Sequence, residues 1–188
     1  MTATGGRKSV VAFGGGFITV LRMKPSLPRT LLIAAGCLFL GSCNYDVPIT
    51  GSPTRRVEPS LLGVWVARQK DSAKPDEMKV RQLDGFIYII SFNGDLYRAY
   101  HSDVDKVPFV TVQDIESSDR KYAYFTWQLS ADGAVLTLTP VSTRLIPPTI
   151  PNSATVQQLL RQHADNPNLL LEPVQFTHKG FSTPTPMR

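Results

Sequence analysis

Beyond Leu61 the chain breaks into short β-prone runs separated by turn signals at intervals of roughly ten residues, the pattern of an antiparallel all-β domain. The runs are Leu61 to Ala67, Met78 to Leu83, Phe86 to Phe92, Asp95 to Ser102, Phe109 to Ile115, Lys121 to Leu129 and Ala134 to Thr139. Asp84-Gly85, Asn93-Gly94 and Asp132-Gly133 punctuate them; the Asn-Gly pair is a strong hairpin signal because both central residues of such a turn take positive φ. Alternation places Phe125, Trp127 and Leu129 on one face and Thr126 and Gln128 on the other. Phe86-Ile87-Tyr88-Ile89-Ile90 is apolar on both faces, which predicts a central strand covered by a second layer or a helix.

After Pro147-Pro148 and Pro151 the period changes. Val156, Leu159, Leu160 and His163 form one stripe of an amphipathic helix over about 153–164, with Asn152 or Ser153 as its cap. Asn166-Pro167 stops it, and Leu169 to Lys179 reads as a last strand whose Pro173 suits an edge or a bulge. The fold class is therefore mainly β: an antiparallel meander, a barrel or partly open sheet over 61–179, with one helix in its C-terminal half. Residues 180–188 read as a disordered tail.

Upstream the pattern is of another kind. Lys24 and Arg29 precede an apolar run from Thr30 to Leu40, too short at helical rise to cross a hydrocarbon core of about 20 residues. Gly41 and Ser42 are the small residues a processing peptidase needs, and Cys43 follows. Leu40-Gly41-Ser42-Cys43 resembles the lipobox of bacterial lipoproteins. That resemblance implies cleavage after Ser42, a thiol at Cys43 carrying a diacylglyceryl group and a further acyl chain such as palmitate, and a membrane as the protein's partner through this anchor. Residues 1–42 are then a leader. Val10 to Leu21 fits it poorly, and translation starting at Met23 is one explanation. Asn44, where many Gram-negative lipoproteins retained at the inner membrane have Asp, implies the periplasmic face of the outer membrane.

Pro48, Gly51, Pro53, Thr54 and Pro59 predict a flexible tether over 43–60. Arg55 and Arg56 inside it read as ordinary solvated charges.

Charge changes meaning once the leader is set aside. The net charge of +5 arises from Arg7, Lys8, Arg22, Lys24 and Arg29; from Cys43 onward 15 basic residues face 15 acidic ones, so the electrostatic footprint of a nucleic-acid binder is absent. Cys37 and Cys43 are the two cysteines. With one discarded and the other acylated, no thiol remains for a disulfide, a zinc site or a nucleophile.

Leu61-Leu62-Gly63-Val64-Trp65 resembles the opening strand of lipocalin-type barrels, in which a Gly-x-Trp motif lets the tryptophan close one end. The resemblance implies an eight-stranded barrel with an apolar interior, and Trp65, Tyr88 and Trp127 are the candidate ligand-binding residues. One feature departs from that family: here the helix precedes the last strand.

Other chemistry is sparse. His101, Asp103 and Asp105 alternate on an extended stretch and offer one imidazole and two carboxylates to a divalent ion, but a closed site takes four donors, and Asp103-Val104-Asp105-Lys106 reads equally as a polar turn. No metal and no cofactor is assigned. No serine lies in a nucleophile elbow, His163 falls on the helix's apolar stripe, His178 sits near the chain's loose end, and no glycine-rich phosphate loop exists. The expectation is a non-enzymatic envelope lipoprotein acting as an interaction or scaffold module with an envelope protein partner. The alternative is a lipocalin-like carrier of a small apolar ligand.

Overall fold

The computed structural model describes residues 45–68 and 74–180. Eight strands follow one another around a closed antiparallel barrel, each hydrogen-bonded to its sequence neighbours. They are β1 (Gly63–Ala67), β2 (Asp76–Gln82), β3 (Tyr88–Phe92), β4 (Asp95–His101), β5 (Phe109–Asp114), β6 (Tyr122–Leu129), β7 (Val135–Pro140) and β8 (Val174–His178). One helix, α1 (Ser153–Gln162), lies in the connection between β7 and β8. Closure comes from β1 pairing with β8, Trp65 opposite His178 and Val66 opposite Thr177.

Closure changes what the sequence pattern means for three segments. No strand is central in a barrel, so β3 has no covering layer of its own; its outward Ile89 is half-buried between Arg81 and Arg98 in the register. Strand β8 is no edge, because it pairs on both sides, and Pro173 sits just before its first residue, where no ladder donor is required. The β2–β3 connection is not a two-residue turn either. Leu83 N–H bonds Ile87 O at 2.9 Å, while the Asp84 carboxylate accepts from the backbone of Phe86 and Ile87 at 2.7 and 2.9 Å. Asn93 and Gly94 do take positive φ, 53° and 112°.

Two apolar clusters result from strand alternation. Inside the barrel Trp65, Met78, Phe92, Ala99, Phe125 and Phe176 are buried. On the outside of β5 and β6, Phe109 and Tyr124 join Tyr45, Ile49, Ile146, Ile150, Val156, Leu160 and Leu169 in a second cluster, so the helix stripe has a partner there. Asn152 caps α1, its side chain accepting from Thr155 N–H at 2.9 Å.

The expected tether over 43–60 is corrected from Tyr45 onward. Tyr45 is 1% exposed and Ile49 0%, and the segment runs as a strap down the outside of the barrel. Tyr45 exchanges backbone bonds with Tyr122 at 3.0 and 2.9 Å, Tyr124 donates its hydroxyl to Val47 O, and Tyr100 donates to Thr50 O at 2.9 Å. Thr54 N–H then bonds His101 O, Val57 N–H bonds Gly85 O, and a single 3-10 turn, Pro59–Leu61, crosses the end of the barrel into β1. Prolines that resemble linker composition here keep the strap extended, leaving its remaining backbone groups free to bond sideways to the wall. Cys43 and Asn44 lie outside the described residues, as do the leader and residues 181–188.

Candidate functional site

Parity and register bring three of the chain's polar aromatic groups to one end of the interior. Tyr88 opens β3 and faces Ala99 across the β3–β4 pair; His101, two residues beyond Ala99, points to the same side. Trp127 reaches the same end from β6, its ring centroid 5.6 Å from that of His101. Tyr88 and Trp127 thus meet in space through His101.

Hydrogen bonding and burial set the surroundings of that histidine. Glu58 N–H donates to the Tyr88 hydroxyl at 2.6 Å, and the same hydroxyl shares a hydrogen bond of 2.7 Å with His101 Nε2, whose direction goes with the imidazole tautomer. The other ring nitrogen, Nδ1, finds no hydrogen-bond partner among the described atoms. His101 is 0% exposed, and burial, aided by the Arg55 charge, pushes its pKa down to about 4. The imidazole is therefore neutral at ordinary pH and is held by a tyrosine inside the barrel.

Arg55, on the strap, covers this end. Its guanidinium lies 5.2 Å from the centroid of the Trp127 ring, and its Nε is 3.0 Å from Asp103 Oδ2, close but without hydrogen-bond alignment. Burial raises the Asp103 pKa, partly opposed by Arg55 and by a hydrogen bond from Thr54. The three residues once grouped as metal donors therefore diverge: His101 turns inward, Asp103 meets Arg55, and Asp105 pairs with Arg161 of α1 at 3.2 Å. Among the described residues no cluster of histidine, cysteine or carboxylate has the arrangement of a metal site.

Inside the barrel lies a space of about 50 Å³, bounded among others by Tyr88, Ala99, His101, Val112, Phe125 and Trp127. Trp65, the third candidate ligand residue, is not on this wall. It is fully buried, donates its indole N–H to Leu61 O at 2.9 Å and meets the His178 ring edge-on at 4.8 Å. It closes the barrel seam. His178 is likewise held in a strand rather than at a loose end, and His163 is the C-terminal cap residue of α1, only half-buried.

A larger concavity lies outside, a groove of about 310 Å³ between the β4–β5 connection, the end of α1 and residues 164–170. Val104, Val107, Phe109, Leu160 and Leu170 line it, and the Arg161–Asp105 pair stands on its wall. Sequence reasoning did not find it, nor the role of Arg55, because both depend on which distant segments pack side by side. Leu40, Gly41, Ser42 and Cys43 lie outside the described residues. Compared with family models, curated proteins and solved structures, the chain matches none.

Proposed function

We propose that this chain is a cell-envelope lipoprotein, acylated at Cys43, whose barrel serves as a non-enzymatic interaction or scaffold module at the periplasmic face of the outer membrane. The observation that carries the scaffold reading is the small size of the interior space lined by Tyr88, His101 and Trp127. A space of about 50 Å³ is far below the roughly 300 Å³ at which small-molecule pockets begin, whereas the larger groove faces outward. The anchor rests on Leu40-Gly41-Ser42-Cys43 and its basic, apolar approach. The neutral, tyrosine-bound His101 supports a structural role for this buried titratable cluster.

The test is made on protein purified from its native envelope. Native mass spectrometry is expected to return the polypeptide from Cys43 plus its acyl groups and nothing more, labelled palmitate is expected to be lost in Cys43→Ala, and cross-linking is expected to return one reproducible envelope protein. Carriage of a small apolar ligand is the second reading, favoured by the lipocalin-like Gly63-x-Trp65 opening and by Tyr88 and Trp127 both facing the interior. A stoichiometric apolar compound released by organic extraction would establish it in place of the first.

A further inference from the structure

We propose that the acyl chains on Cys43 hold the barrel directly against the phospholipid bilayer in one orientation, with the β5–β6 turn toward the headgroups and the β2–β3 turn pointing away. The proposal rests on the lipoprotein reading above and adds to it the geometry of attachment.

Its basis is the position of Tyr45. That residue is locked to the wall: its ring stacks on Tyr124 with centroids 3.8 Å apart and planes within 13°, its hydroxyl donates to Val141 O at 3.3 Å, and its backbone bonds Tyr122 in both directions. Asp46 continues the attachment through the Lys121 ammonium and, from its backbone N–H, Pro148 O at 3.2 Å. Cys43 precedes Tyr45 by two residues, and consecutive Cα atoms are about 3.8 Å apart, so the acylated residue stays within roughly 8 Å of Tyr45. A free tether of the length expected from composition would instead reach about 60 Å.

The direction follows from the meander. Tyr45 bridges to Tyr122 where β6 begins, beside the turn that follows Asp114. The strap then runs the length of the barrel, and Val57 meets Gly85 in the β2–β3 turn at the other end. Strands of five to eight residues separate the two ends by about 20 Å at strand rise. Anchoring at one end therefore presents the other to the periplasm.

The experiment uses the full acylated protein in vesicles of phosphatidylethanolamine and phosphatidylglycerol. Ser118→Cys in the β5–β6 turn and Gln82→Cys at the end of β2, both exposed, are labelled separately with a fluorophore, the acylated sulfur being unreactive. A quencher carried on lipid headgroups is expected to quench the label at 118 several-fold more than the label at 82, and a Gly/Ser insert of about 15 residues between Asn44 and Tyr45 is expected to abolish the difference. Equal quenching at both positions without the insert, in protein that floats with the vesicles, overturns the orientation and leaves the anchor standing. Native protein that neither floats with vesicles nor carries fatty acid overturns both.

Discussion

The imidazole of His178 occupies the space that a side chain on Gly63 would need. Gly63 also has φ of +136°, a conformation L residues rarely adopt, so β1 can pair with β8 beside Trp65 only with glycine there. Gly63→Ala is expected to destabilise the barrel by about 2 kcal/mol or more, steric overlap and backbone strain acting together. Thermal unfolding measures it, and His178→Ala in the same chain should restore the steric part only. An unchanged melting temperature in Gly63→Ala would contradict this account of the seam.

Tyr45→Ala tests the strap. Removing a fully buried aromatic ring that stacks on Tyr124 should cost about 3 kcal/mol, and amide exchange over residues 46–54 should accelerate. A solvated tether would show neither effect.

Acid weakens the fold through His101. Its folded pKa of about 4 lies below the unfolded value of about 6.5, so between those limits the unfolded chain binds more protons and stability rises with pH. The contribution is complete above pH 6.5, falls away as the pH drops toward 4, and amounts to roughly 3 kcal/mol at most. Urea midpoints at pH 7 and pH 4.5 should differ in the native chain and differ less in His101→Gln, whose amide remains able to accept from Tyr88.

Filling the interior should be tolerated up to the size of the space and no further. Ala99, fully buried on the wall of the 50 Å³ space, is expected to accept valine with a gain of about 0.5 kcal/mol, whereas Ala99→Phe should lose about 1–3 kcal/mol by overpacking. If phenylalanine is accepted without loss, the interior is larger or softer than this packing describes, and carriage gains ground.

Exposed ion pairs should matter little. Asp105→Ala breaks a pair with Arg161 in which both side chains are about half exposed or more, and a change in stability below about 1 kcal/mol is expected by chemical denaturation.

What could be read from the chain alone was whatever local chemistry dictates. Period-two alternation marked the strands, Asn93-Gly94 its hairpin, and the Val156–Leu160 stripe with Asn152 the helix and its cap, because each signal depends on neighbours within a few residues. The meander order and the helix before the final strand follow from those signals in sequence.

Tertiary structure decided the rest. Whether the sheet closes depends on β1 meeting β8 across the whole domain, and whether residues 45–61 are tether or strap depends on Tyr45 and Ile49 finding Tyr124, Phe109 and α1, contacts that composition does not encode. His101 and Asp103 are two residues apart in the chain yet turn to a tyrosine inside the barrel and an arginine on the strap. Sequence spacing determines which face of a strand a side chain takes, while its chemical partner is set by long-range packing.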